Sequence, residues 1–249
     1  MRVSRILGLG SLSLLGAVSL LSATSVPAEA VTKFFAYGSG ASVQTERTDD
    51  DILNPQEIKE WEPGWQLGLG LRVHSASART VADKPKWEAR LRLGYMQGQL
   101  ADIRYEFARD RAPIYDWNSL ETTDVTGFTL GATVVSRLTS SVGVFVGPAI
   151  ERIKLKADYR RTWNGTVPDY YNGTIYGGDR EADAEGTAIY GLLEVGARVE
   201  PAFSPVALEV FWVPRRVRMS TTQTVDDDGY KADFADLNAG VGLRATYDF

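Results

Sequence analysis

The last twelve residues, Asn238 to Phe249, alternate apolar with small or polar side chains without a break. Ala239, Val241, Leu243, Ala245, Tyr247 and Phe249 fall on one parity; Asn238, Gly240, Gly242, Arg244, Thr246 and Asp248 fall on the other. Successive side chains of a strand point to opposite faces, so this period predicts a β-strand with one greasy and one wet face. A chain carrying such a strand must supply partners for both its edges and an apolar medium for one face.

Similar segments recur along the chain. Trp65, Leu67, Leu69, Leu71 and Val73 alternate with Gln66, Gly68, Gly70, Arg72 and His74. Trp87, Ala89, Leu91, Leu93 and Tyr95 alternate with Glu88, Arg90, Arg92 and Gly94. The same parity continues through Ile103, Tyr105 and Phe107, past Gln97 and Gln99, so this strand is read as bulged and projecting beyond a bilayer. Residues 125–137 put Phe128, Leu130, Ala132 and Val134 outward; from Val142 onward Val144, Val146 and Ile150 do so, with the register open beyond Pro148. Residues 187–200 turn Leu193, Val195, Ala197 and Val199 outward, and residues 206–218 do the same with Leu208, Val210 and Trp212. For the first strand, residues 33–44, Phe35, Tyr37, Ala41 and Val43 are assigned outward and Ala36, Gly38, Gly40 and Ser42 inward. Eight strands result.

The N-terminus reads as an export signal. Arg2 and Arg5 precede an apolar run over residues 6–21, and Ala28-Glu29-Ala30 fits a small-x-small cleavage site. Residues 31–249 are then one mature domain in which no stretch approaches the roughly 18 consecutive apolar residues of a membrane helix. A mean hydropathy of −0.18 does not argue against a membrane barrel, in which only alternate residues meet lipid. The chain has no cysteine, which suits an exported protein that crosses the periplasm unfolded. Without Arg2, Arg5 and Glu29 the 27 basic and 32 acidic residues become 25 and 31, a net charge of −6 that argues against nucleic acid as a partner.

The closing strand, with its alternation, Tyr247 and terminal Phe249, resembles the last strand of bacterial outer-membrane β-barrels. The resemblance implies that Leu243, Tyr247 and Phe249 belong to a signal read by the barrel-insertion machinery. Connector lengths are similar to that family's as well. Residues 46–62, 108–124, 162–186 and 219–233 make long exterior connections, while 138–141 and 201–205 make short periplasmic ones. Residues 75–86 are the exception, too long for a tight turn. The expected fold class is therefore all-β, an eight-stranded antiparallel up-and-down transmembrane β-barrel. It resembles the small OmpA/OmpX-like class, which implies a place in the bacterial outer membrane against lipid and lipopolysaccharide. A soluble lipocalin-like barrel competes, but it would hold its apolar residues inside, and here the charged parity is poor in them. Phe35, Trp65, Trp87, Trp212, Tyr247 and Phe249 suit interfacial girdles.

The inward parity collects Arg72, Arg90, Arg92, Arg198 and Arg244 with Glu88, Glu194, Glu200, Glu209 and Asp248. Five cations against five anions, mostly near the periplasmic strand ends, predict an ion-pair layer closing a lumen that eight strands leave just wide enough for side chains. Toward the exterior, Gly38, Gly40, Ser42, Gln66, Gly68, Thr129, Gly131, Asn238 and Gly240 predict a small, wet vestibule.

Catalysis finds little support. His74 is the single histidine, and parity places it inside at the periplasmic end. The sequence His74-Ser75-Ala76 lacks the His-x-Ser of lipid A deacylases, and an omptin-type Asp–His pair would need the outer rim. Asp49–Asp51 and Asp226–Asp228 lack the spacing of a calcium loop and read as solvated charge. No cofactor or metal is implied. Trp163, Tyr170, Tyr171 and Tyr176, in the third exterior connection, are candidates for recognising an extracellular ligand, since aromatics give contact area at low entropy cost. The expected function is a non-enzymatic surface barrel for envelope structure, adhesion or ligand recognition. A narrow pore or small-solute transporter is the alternative, and a lipid-modifying enzyme the weaker one.

Overall fold

The computed structural model describes residues 30–49, 56–75, 80–81, 84–107, 117–163, 170–171, 174–175, 180–201, 204–223 and 236–249. All regular structure there is strand. Long strands β1 (Ala30–Asp49) and β2 (Gln56–Ser75) are followed by the two-residue β3 (Thr80–Val81) and β4 (Lys84–Pro85). Then come β5 (Trp87–Phe107), β6 (Trp117–Arg137) and β7 (Val142–Trp163), the short β8 (Tyr170–Tyr171) and β9 (Thr174–Ile175), and β10 (Arg180–Val199). The chain closes with β11 (Val206–Val213), β12 (Arg216–Gln223) and β13 (Asp236–Asp248).

The antiparallel ladder runs β11-β13-β1-β2-β5-β6-β7-β10, and β10 pairs back to β11. Where β11 joins β13 to β10 the ring is closed, the condition for carrying backbone polar groups through lipid; β12 is laddered to β10 alone among the described residues. β11 and β12 are two parts of one stave interrupted at Pro214 and Arg215, so eight staves form an up-and-down transmembrane barrel. Both chain ends of the barrel meet at the short-turn end, where the Phe249 amide donates to the Phe34 carbonyl at 3.2 Å.

A bilayer-spanning strand needs about 9–11 residues, yet the long strands here have 20 to 22. Much of what the sequence suggests as exterior loop is therefore strand continuing past the apolar band. β5 makes its expected bulge between Leu100 and Ile103. The register past Pro148, open in the sequence, is unbroken: Val134↔Val146 and Leu130↔Ile150 lie on one diagonal. Gly147 allows this, because a Cβ there would collide with the Ala132 carbonyl of the facing strand. The long 75–86 connector contains the hairpin β3–β4, paired Thr80↔Pro85 and Val81↔Lys84.

One expectation is reversed. Phe34 is 64% exposed and Phe35 only 2%, so the parity of the first strand is opposite to the one assigned from sequence. Phe35 and Tyr37 point inward, while Ala36, Gly38, Gly40 and Ser42 lie on the outer face; Phe34, not Phe35, joins the exposed aromatics. Register imposes this. Phe35 stands opposite Gly70, Tyr37 opposite Gly68 and Ser39 opposite Arg244, and directly opposed residues share a face. The glycines make the room: a Cβ on Gly70 would overlap the Phe35 ring, and one on Gly94 the Tyr37 hydroxyl.

Two sections of the wall have opposite polarity. Near the short turns, Leu67, Leu69, Leu91, Leu93, Leu130, Val144, Val146, Leu208, Val210 and Leu243 are exposed, forming an apolar band around the barrel. Beyond it, Arg152, Lys154 and Lys156 face out while Ile153, Leu155 and Ala157 are buried inside. Val125, Ile153, Leu155, Ala188, Tyr190 and Leu237 form an internal apolar cluster there, with Val43, Met96 and Leu100 packed against it. The wet vestibule expected from sequence is thus replaced by an apolar core.

Candidate functional site in the barrel interior

Strand register assembles the charged layer. Glu209 on β11 lies directly between Arg198 on β10 and Arg244 on β13. Its Oε1 accepts from Arg198 Nη1 at 2.7 Å and from Arg90 Nη1, across the lumen, at 2.6 Å; its Oε2 accepts from Arg244 Nη1 at 2.9 Å. Arg244 also forks onto Glu194, with Nη1 to Oε1 at 3.0 Å and Nη2 to Oε2 at 2.8 Å, the two-pronged contact that guanidinium geometry favours. Arg92 Nη2 reaches the same Glu194 Oε1 at 2.9 Å.

Nearer the short turns, Arg90 pairs with Glu88 and Arg198 with Glu200. Arg72 stands opposite Arg90 in the ladder, a repulsive arrangement on its own. The two diverge: Arg72 Nη1 meets Asp248 Oδ2 at 2.9 Å, while Arg90 turns to Glu88 and Glu209. All ten residues singled out from sequence therefore lie in one connected region of the interior, the two Arg72 and Asp248 carboxyl–guanidinium partners at its rim.

Four charged residues join that sequence reasoning missed. Arg137 Nη1 contacts Glu200 Oε2 at 2.8 Å and its Nη2 contacts Glu88 Oε2 at 3.4 Å. Lys84, delivered by the β3–β4 hairpin, meets Glu200 Oε2 at 2.8 Å. Farther up, Arg216 Nε donates to Glu151 Oε2 at 2.9 Å, and Arg216 Nη1 donates to the carbonyls of Asn238 and Ala239 at 3.2 Å each. Arg137 was legible, since it shares the inward parity of Thr129 and Gly131. Glu151 follows only once the register is known to survive Pro148. Arg216 follows only from the Pro214–Arg215 interruption, which moves the inward positions from odd to even numbers. Nothing local marks Lys84.

With these additions the ion-paired groups of the short-turn half are Arg72, Lys84, Arg90, Arg92, Arg137, Arg198 and Arg244 against Glu88, Glu194, Glu200, Glu209 and Asp248, seven cations against five anions among the described residues. The five-against-five balance expected from sequence becomes a positive excess.

Aromatic rings roof the layer. Arg244 lies 4.6 Å from the Phe211 centroid and 5.5 Å from that of Tyr37; Arg92 is 6.0 Å from Tyr37 and Arg90 5.8 Å from Phe35. Guanidinium faces over rings gain roughly 0.5–2 kcal/mol each, more where water is excluded. Phe211 and Phe145 fit because Gly242 and Gly196 lie beneath them. Between this roof and the apolar cluster remains a cavity of about 50 Å³, bordered by Tyr37, Gln66, Met96, Glu151 and Arg216 among others. The arrangement pairs every carboxylate of the layer and fills the lumen above it.

No family model matches the chain, and no curated protein matches it either. Among solved structures it is similar to Ail, the attachment invasion locus protein of Yersinia pestis, in complex with the heparin analogue sucrose octasulfate. Identity is 12%, coverage 87% of this chain and 99% of that one, and TM-score 0.38. Neisserial surface protein A is also similar (12% identity, 86% and 95% coverage, TM-score 0.32), as is CarO2 of Acinetobacter baumannii (13%, 85% and 98%, 0.34). The class of this barrel rests on its own ladder and faces.

The remaining sequence-derived positions divide. Leu243, Tyr247 and Phe249 are all exposed on the outer face, Tyr247 and Phe249 edge to face at 5.3 Å. His74 borders the mouth of the barrel at the short-turn end. In the third exterior connection Tyr170 pairs with Ile175 and Tyr171 with Thr174, and Trp163 ends β7. Tyr176, Asp50, Asp51, Asp226–Asp228 and residues 1–29 of the export signal lie outside the described residues, while Ala30 begins β1.

Proposed function

We propose that the protein is a non-enzymatic barrel of the bacterial outer membrane, exported by a cleaved signal over residues 1–30, that acts through the exterior ends of its strands rather than through its lumen. The observation carrying this reading is that the interior is filled at successive levels: an ion-pair layer, an aromatic roof and an apolar cluster. In this orientation the short-turn end faces the periplasm and the far ends of the long strands face outward; Trp163, Tyr170, Tyr171 and Tyr176, in the third long connection, are assigned to recognising an extracellular ligand. The apolar band contacts lipid and lipopolysaccharide. Leu243, Tyr247 and Phe249 would be displayed to the insertion machinery before the barrel closes. Planar-bilayer recording tests the reading: purified, folded protein is expected to show no stepwise conductance, and steady single-channel currents would replace it with the pore.

A further inference from the structure

The excess of two cations in the short-turn half has a counterpart in hydrogen bonding. Among the described residues, the buried side-chain atoms that lack a hydrogen-bond partner are guanidinium nitrogens, the Nε of Arg72, Arg92, Arg137 and Arg244 and Nη2 of Arg198, with no carboxylate oxygen among them. The described interior therefore has spare donors and spare positive charge, while each of its carboxylates is already paired. Water can accept from such donors, yet it leaves the charge uncompensated, and unpaired buried charge is costly.

Arg72 and Arg137 border a cavity of about 430 Å³ at the short-turn mouth. The Arg137 side chain is only 2% exposed, and its Nη atoms are occupied by Glu88 and Glu200, leaving Nε free. Lys33 and Lys84 border the same cavity, with exposed Pro201, Ser204 and Pro205 at its outer edge. Glu88, Glu200 and Asp248 border it too, paired with Arg137, Lys84 and Arg72, so its lining holds four cations against three carboxylates. The hairpin β3–β4 explains Lys84's presence: the connector is too long for a turn, and it brings a further cation to a mouth already rich in them.

We propose that this mouth cavity is a binding site for an oxyanion, a carboxylate or phosphate group, held by Arg72 and Arg137 and drawn in by Lys33 and Lys84. Planar guanidinium donors match the geometry of such groups, and ammonium groups at the entrance attract them as point charges. The cavity exceeds one inorganic anion in size, so it also accommodates the anionic end of a larger molecule approaching from the periplasmic side. The site is independent of whether the lumen conducts.

Calorimetric titration of the folded, detergent-solubilised protein with sodium phosphate, and separately with sodium acetate, tests this at constant ionic strength. Saturable binding of at least one of the two is expected. Arg72→Gln and Lys33→Gln should each weaken it about tenfold, the loss of one charge-assisted contact. Arg137→Gln strands Glu88 and Glu200 and is left out of the test; the exposed Lys33 carries it if Arg72→Gln fails the heat-modifiable gel assay. Binding by phosphate alone or acetate alone would support the site and name the group. No saturable heat with either, or identical affinity in wild type and both variants, would overturn it.

Discussion

The membrane section and the exterior section of this barrel are built on the same strands with the polarity of the two faces exchanged. β7 shows it within one element. From Val144 to Ile150 even-numbered positions are apolar and face outward; from Arg152 to Lys156 even-numbered positions are cationic and still face outward. The odd positions stay inside throughout, Phe145 and Ala149 in the band and Ile153 and Leu155 beyond it, with Glu151 the one charge between them. β10 mirrors it, with Leu193 and Val199 exposed in the band and Glu181 and Asp183 exposed beyond it. Backbone parity does not change at the boundary; solvent does. Where lipid takes the apolar side chains of the outer face, the interior combines ion pairs with the buried cluster of Val135, Phe145, Ala149, Leu192, Phe211 and Val213. Where water surrounds the wall, the hydrophobic effect places the aliphatic residues inside, as in a soluble barrel.

The comparison can be broken most severely at Glu209. Three guanidinium groups share this carboxylate, so Glu209→Ala should cost about 3–5 kcal/mol by stranding buried charge. Because the hub has three partners, no single compensating Arg change should restore the full loss. Urea unfolding in liposomes measures both, and a stability change below the error of that assay would show that the layer does not hold the barrel closed.

Truncation in the exterior core should come next. Ile153→Ala empties space in a fully buried apolar cluster and should cost about 2–4 kcal/mol, with no dependence on lipid chain length because the cluster lies beyond the band. Leu69→Arg or Leu243→Arg should cost about 2–4 kcal/mol near the midplane of the bilayer, and here the cost should vary with bilayer thickness. Unfolding the three variants in liposomes of short and long acyl chains sharpens the contrast; equal thickness dependence for Ile153→Ala would merge the two sections.

Deleting Phe249 examines assembly rather than final stability. It removes the amide that donates to Phe34 as well as part of the proposed insertion signal. A periplasmic, protease-sensitive product is expected, and normal outer-membrane levels with heat-modifiable migration would argue against the signal.

The smallest effect belongs to the outer surface. Lys156 donates to Asp158 at 3.1 Å, and this hydrogen bond holds the Asp158 carboxyl below its ordinary range. A depressed folded-state pKa contributes stability above the unfolded value of about 3.9 that is lost as pH falls through the folded value. Both groups are open to water, so the contribution is small. Asp158→Asn should flatten the acid limb of the stability curve only slightly, measured by thermal unfolding between pH 5 and 2.

Period-two alternation determined the strands, their number and, in seven of eight staves, the lipid-facing parity across the band, because a residue's face follows from its position once the backbone is extended. The same logic was enough to bring Arg90, Arg244, Glu194 and Glu209 to the interior. Alternation could not orient β1, where Phe34-Phe35-Ala36-Tyr37 offers an aromatic on either parity. Register against Gly68 and Gly70 decided it, since only there do the rings find space. Nor could it reveal Lys84, Glu151 or Arg216, whose positions depend on a folded connector, a proline tolerated in mid-strand and a broken stave. Tertiary structure also decided which medium each face meets: parity is a property of the chain, whereas polarity is matched to lipid, water or interior only when the ring has closed.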